Sequence, residues 1–265
     1  VSTLLAHRAG VVFTEAAPPG ALFDQEMMAK ALAEAPPAWP PGSEHAYHTS
    51  TYGILLSELI RRVSGKPIQA FFDDEIAQPL GVDYRFGVPQ ADRDRCADVI
   101  PNPDNETVKL LAQPDSKAAR AWRAQPRLRN LLNSDEFRST VFPSANGHGN
   151  ARAVSTIYGA LARGGEIGGR RLLSPESIRY ATEEQWDGEC WLLDRHFRMA
   201  RGFLLNSPIV PMGPNRASFG HSGAGGAHGF ADPDRRLGFS YSMNRMCAGN
   251  SVGERCSALI GAVFQ

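Results

Sequence analysis

Between Ser218 and Phe230 the chain reads Ser-Phe-Gly-His-Ser-Gly-Ala-Gly-Gly-Ala-His-Gly-Phe, and this stretch limits the possible folds more than any other. Glycine inside a strand-like run marks a bend or a close approach of another backbone. The stretch therefore predicts two strands, Ala217 to His221 and Ala227 to Asp232, folded back on each other. Asp232-Pro-Asp-Arg-Arg236 is a reverse-turn sequence, so Leu237 to Asn244 reads as the return strand of a hairpin. Phe197 to Leu205 predicts a further strand, and the apolar run Gly253 to Phe264 predicts a helix packed on the sheet.

Helical patterns dominate what precedes. Two proline-rich stretches, Glu15-Ala-Ala-Pro-Pro-Gly and Ala35-Pro-Pro-Ala-Trp-Pro-Pro-Gly42, block regular pairing, and Asp24 to Ala35 between them predicts a short helix. From Ser50 onward, Ile54, Leu55, Leu59, Ile60 and Val63 recur at three-to-four-residue spacing up to Gly65-Lys-Pro67, the pattern of an amphipathic helix with a glycine stop. A second helix is predicted over Ile68 to Ile76, ending before Pro79. Val88 to Asn146 is rich in Asp, Arg, Pro and Asn and carries little periodicity. Val154, Ile157, Tyr158 and Leu161 make an apolar stripe over Ala151 to Arg163, ended by Gly164-Gly165. Ser174-Pro-Glu-Ser177 opens one more helix, with Ser174 as cap and Pro175 at the first position.

Composition narrows the function classes. The 265 residues carry 28 basic and 28 acidic side chains, a balance that calls for neither nucleic acid nor an anionic membrane and suits a small neutral substrate. Cys96, Cys190, Cys247 and Cys256 are far apart, with no Cys-x-x-Cys pair, and read as reduced thiols. No apolar run reaches the roughly 20 residues of a membrane span, and the first residues lack a signal peptide's layout. Cytoplasmic placement is the default reading, a removed upstream signal being the alternative.

Two motifs carry chemistry. Tyr47-His48-Thr49 lies at the start of the helix after a Pro-Gly loop, where backbone amides and a nearby cation would lower the phenol's pKa and suit Tyr47 to act as a general base. His221-Ser222-Gly223-Ala224 ends a strand; there the His and Ser side chains would donate to a substrate carbonyl or carboxylate, and the Ala224 N–H would face a developing oxyanion. Other readings fit less well. Gly220-His-Ser-Gly-Ala224 departs from the Gly-x-Ser-x-Gly elbow at its last residue, and only His228 follows to complete a triad. His228 also stands where a dinucleotide loop starting at Gly223 needs its third glycine. His45 and His48 bracket the candidate base Tyr47, so no metal and no cofactor are expected.

Pro41 to Gly53, the apolar helix after it and Val63-Ser-Gly-Lys-Pro67 together resemble the second motif region of the serine β-lactamase-like family, which includes class C β-lactamases, penicillin-binding peptidases and esterases of the same fold. Leu4-Leu-Ala-His-Arg-Ala-Gly10, Ser144 to Arg152 and Phe219 to Met246 resemble it too, so the likeness covers most of the chain. The resemblance implies an α/β (α+β) sandwich, an antiparallel sheet flanked by helices with an inserted, mainly helical lobe. Its parts would be 1–67 with the second motif, 68–185 as the helical lobe, and 186–265 as the final strands and helix. It further implies an acyl-enzyme mechanism with Tyr47 as base, His221-Ser222-Gly223 in place of Lys-Thr-Gly, Ala224 at the oxyanion, and Thr49, beside His48, where β-lactamases have Asn. That departure points to an esterase, with an ester or a lactam as substrate. The Ser-x-x-Lys nucleophile motif is absent: the residues three before Lys30, Lys66, Lys109 and Lys117 are Met27, Val63, Glu106 and Pro114. It is expected upstream of Val1 or on a companion chain. The alternative is a catalytically inactive relative acting as a scaffold.

Overall fold

A computed structural model of the protein describes residues 1–125, 130–249 and 252–265. After a short α1 (Ser2–Leu5), α2 spans Gln25–Glu34, with the Asp24 carboxylate accepting from the Met27 N–H at 2.9 Å as an N-cap. Helix α3 (Thr51–Ser64) ends at Gly65 in the left-handed conformation, φ 73°. Its start is capped from far away in sequence: Ser144 Oγ accepts from the Gly53 N–H at 2.8 Å and donates to Ser50 O at 2.7 Å.

Helix α4 (Ile68–Phe72) does not stop before Pro79. It runs through a π turn, Asp73–Ala77, into α5 (Gln78–Leu80), whose opening turn holds Pro79. The π turn interrupts the regular i→i−4 ladder just before Pro79, which lets the helical path continue past a residue that has no N–H to give. Strand β1 (Tyr84–Phe86) follows. The aperiodic stretch contains three one-turn helices, α6 (Glu106–Leu111), α7 (Lys117–Ala121) and α8 (Asp135–Ser139), each capped by the Asn105, Ser116 or Ser134 side chain before it. Residues 126–129 of that stretch lie outside the described residues. Strand β2 (Gly147–Gly149) pairs with β1, and α9 (Ala151–Ala162), β3 (Glu166–Ile167), β4 (Arg170–Arg171) and α10 (Pro175–Thr182) lead into the main sheet.

Six antiparallel strands form that sheet among the described residues: β5 (Trp186–Cys190), β6 (Arg195–Met199), β7 (Leu204–Leu205), β8 (Phe219–Ser222), β9 (His228–Asp232) and β10 (Leu237–Tyr241), each beside its neighbour in sequence. The strand expected from Phe197 to Leu205 is broken in two. Gly202, at φ 91°, turns the chain and donates to Leu5 O at 2.9 Å. The hairpin from β9 to β10 matches the turn sequence, with Asp232 Oδ1 accepting from the Asp234 N–H at 3.0 Å.

Alternation along the strands decides which layer covers which face. Phe230 and Phe239, stacked at 4.9 Å, point to the side of α11 (Glu254–Val263), whose Cys256 and Ile260 join the same core cluster. Gly229, Ala231 and Gly238 point the other way, toward α9. This is the helix–sheet–helix sandwich of the expected fold. Helix α9, inside the stretch 68–185 read as a helical lobe, lies against β9 and β10 in the sheet layer. No helix among the described residues is long and apolar enough to cross a membrane.

Contact between α9 and the sheet depends on the missing side chain at Gly238, where a Cβ would come within 2.2 Å of Gly159 N and Ser155 O. Gly238→Ala should therefore force helix and strand apart, costing about 1–3 kcal/mol and lowering the melting temperature by roughly 3–10 °C. Gly261→Ala, in the exposed interior of α11 with nothing within 4 Å, should instead raise stability by about 0.5–1 kcal/mol. Thermal melts followed by circular dichroism check both signs.

Candidate active site

The segment Ala46–Thr49 enters the core just before α3, whose start is anchored by Thr51 Oγ1 donating to Val11 O at 2.7 Å and by Ser50 Oγ donating to Ala121 O. All four backbone N–H groups of the segment are bound: Ala46 to His7 O at 3.1 Å, Tyr47 to Cys190 Sγ at 3.2 Å, His48 to His7 Nδ1 at 3.0 Å, and Thr49 to Tyr47 O at 2.8 Å. Tyr47 is thereby held with its ring toward the end of β8. Its centroid lies 5.4 Å from that of His221 and 6.1 Å from that of Phe197.

Beyond His221 the chain turns back. Gly223 N–H donates to Ala227 O at 2.7 Å and Gly226 N–H to Gly223 O at 3.0 Å. Ser222 pairs with His228 across the ladder. Ala224, at the exposed tip, has an N–H with no partner among the described residues. The structure thus brings Tyr47 against His221, the residue that leads into Ser222, Gly223 and Ala224, from two parts of the chain more than 170 apart.

Two residues of the expected set face elsewhere. His48 is wholly buried, packed against His7 and Trp39, with Nδ1 donating to Ala46 O at 2.6 Å. It is a core residue rather than a substrate contact. Thr49 Oγ1 accepts from Trp122 Nε1–H at 2.9 Å, so one of its two acceptor lone pairs is spent on the protein. The anchoring groups His7, Cys190 and Trp122 were not singled out by sequence. His7 lies in the quoted stretch Leu4–Gly10, but nothing local marks it; its role depends on residues some 40 positions away.

Burial sets the electrostatics, and it reverses the expectation for Tyr47. Desolvation, with a smaller contribution from Cys190, pushes its phenol up to about 12, so it is neutral at ordinary pH. Burial lowers the His221 imidazole as well. Its Nδ1 lies 2.7 Å from Ser222 O, which can only accept, so the neutral ring carries its proton on Nδ1 and leaves a lone pair on Nε2. His221 therefore offers an acceptor, not the donor read from the sequence. Among the described residues no group of three or more His, Cys, Asp or Glu is arranged to hold a metal ion. A cavity of about 530 Å³ beside β1, lined by residues including Asp73, Tyr84 and Arg85, shares no residue with this site.

Neutral buried histidines make stability depend on acid. Burial holds His45 at about 3, and His48 and His228 at about 4, against about 6.5 in the unfolded chain. Below pH 6.5 the unfolded state binds more protons, so stability is full above that value and falls as pH drops toward 4, by up to about 1.4 kcal/mol per pH unit for each such group. His45 stacks on Trp186 at 5.6 Å, with neither ring nitrogen hydrogen-bonded among the described residues. His45→Phe should keep the stacking and flatten the decline in melting temperature between pH 7 and 4.5. An unchanged slope would contradict this account.

The profile of the β-lactamase family matches residues 1–255. Esterase/beta-lactamase LipL of Mycobacterium tuberculosis (strain ATCC 25618 / H37Rv) is 32% identical over 255 residues, covering 93% of this chain and 58% of that protein. The crystal structure of a family VIII carboxylesterase superposes with a TM-score of 0.87 at 33% identity, covering 98% of this chain and 69% of the other. EstA from Arthrobacter nitroguajacolicus Rue61a gives 0.86 at 32% identity, covering 99% and 70%. This chain thus spans 58% of the length of LipL. With a family match over nearly its whole length and the fold in common, the chain belongs to the β-lactamase family of serine hydrolases.

Proposed function

We propose that this chain is the larger part of a carboxylesterase that works through an acyl-enzyme, its Ser-x-x-Lys supplied by residues outside these 265. The observation that carries the reading is the contact of the Tyr47 and His221 rings, with Ala224 three residues beyond His221 and its N–H without a partner among the described residues, in a chain without that motif. In the proposed reaction the serine oxygen attacks the ester carbonyl carbon and its proton passes to the base. The carbonyl oxygen becomes an oxyanion held by Ala224 N–H, and the alcohol leaves with a proton. Water then repeats the attack on the acyl-serine and releases the acid. A phenol held near 12 is a poor base by itself. An ammonium brought beside Tyr47 would favour its ionised form, and His221 Nε2 offers a second lone pair for the migrating proton.

Esters are favoured over β-lactams because the groups that would grip a lactam's amide and carboxylate are changed. Thr49, already bound by Trp122, stands where Asn is usual, and a neutral His221 replaces a lysine. The names of LipL and of the family VIII enzyme, esterase/beta-lactamase and carboxylesterase, support the same choice.

The complete gene product and this chain should be assayed separately with a short-chain nitrophenyl ester and a chromogenic cephalosporin. The expected result is ester turnover by the product that carries Ser-x-x-Lys and little by this chain. Tyr47→Phe in that product should lower kcat about 100-fold, the scale of a lost general base. An unchanged rate would remove Tyr47 from the mechanism, and no turnover by either form would favour an inactive scaffold.

A further inference from the structure

The geometry points to His7 as the positioning residue for Tyr47, acting as a two-point clamp on the backbone around it. This rests on the reading of Tyr47 as part of the reacting site. His7 is 1% exposed, and its backbone lies in the left-handed region at φ 56°, a conformation uncommon outside glycine and enriched in Asn, Asp and His. Its carbonyl oxygen accepts from Ala46 N–H and its Nδ1 from His48 N–H. One residue thus holds the amide N–H groups of both neighbours of Tyr47, Ala46 and His48. Its ring lies between two phenols, stacked on Tyr52 at 4.0 Å and tilted against Tyr47 at 4.8 Å. The φ angle explains how both hooks reach the same segment: the left-handed turn aims the carbonyl and the side chain at residues 46 and 48 together.

Protonation state matters to the clamp. Nδ1 accepts only while it carries no proton, so the ring must be the neutral Nε2–H tautomer. Burial, reinforced by the neighbouring His48, His45 and His221, keeps the imidazole well below its ordinary pKa and so preserves that form. Packing alone would require neither the acceptor nor the left-handed backbone. Both restrain the segment that carries Tyr47, and displacing a reacting group by about 1 Å can cost on the order of 100-fold in rate.

Two substitutions separate the acceptor from the backbone conformation. His7→Asn tolerates positive φ and places its Oδ1 where Nδ1 lies. His7→Gly tolerates positive φ and has no acceptor. In the complete gene product, hydrogen–deuterium exchange over residues 46–48 should stay slow in wild type and His7→Asn, and quicken roughly 10-fold or more in His7→Gly. Ester hydrolysis should show kcat reduced about 100-fold in His7→Gly with KM within a few-fold, and kcat recovered to within about 5-fold of wild type in His7→Asn. Equal impairment of the two variants, or equal exchange in all three proteins, would overturn the clamp. Should His7→Gly not fold, loss of protection in a folded His7→Asn would overturn it equally. If wild type hydrolyses no ester, the reading of Tyr47 fails, while the exchange data still decide whether His7 holds the segment.

Discussion

Four consecutive amide hydrogen bonds, at residues 46 to 49, hold the one segment on which the rest of the site depends. Their acceptors come from α1's end, from the last residue of β5 and from the segment itself. The Tyr47 ring is therefore placed by main-chain geometry, which tolerates much less movement than a side chain resting in a pocket. Helix α3 starts immediately afterwards and is fastened independently, through Ser144 and Val11. Together these bonds join the N-terminal turn, the aperiodic middle region and the sheet around a single phenol. Removing any acceptor would leave a buried N–H unpaired, a cost of about 1–3 kcal/mol.

The surroundings of that phenol are strongly desolvated and carry little charge. Burial pushes Tyr47 upward and the nearby histidines downward, so all of them are neutral at ordinary pH. In such a medium a single added cation acts with little screening. An ammonium near Tyr47 would then change its ionisation far more than the same charge in water. A site of this kind is poised to respond to one partner group, which fits a chain whose own lysines all lie outside the motif.

Much of the architecture could be read locally. The stripe from Ile54 to Val63 with Gly65 after it, the Ser174-Pro175 cap and the Asp232–Arg236 turn each depend on a few neighbouring residues, and the structure has a helix ending at Gly65, a helix opening at Pro175 and a hairpin turning between Asp232 and Leu237. Misreadings arose where distant contacts decided the outcome. Gly202 broke a strand whose apolar pattern ran on to Leu205, and β5 was overlooked because Gly188 and two acids interrupt its apolar residues. The position of α9 on the sheet likewise follows from a distant contact, the close approach of Gly159 and Gly238. Of the candidate residues, Tyr47 and the stretch opened by His221 are legible as motifs and the structure sets their two rings together, while His48 and Thr49, named through the family resemblance, are bonded within the protein.

By itself the sequence determined the order and type of most elements, the absence of Ser-x-x-Lys from these residues, and which two motifs were worth bringing together. Those properties follow from short-range rules: helical and strand periodicity, glycine and proline dihedrals, and capping side chains. Only the tertiary structure decided that His7 binds the amides of both neighbours of Tyr47, that His221 keeps a lone pair rather than a proton at Nε2, and that the phenol is harder to ionise than a free one. Each of these depends on desolvation and on hydrogen-bond partners far away in the chain, and a residue's protonation is a property of its surroundings, which exist only once the chain has folded.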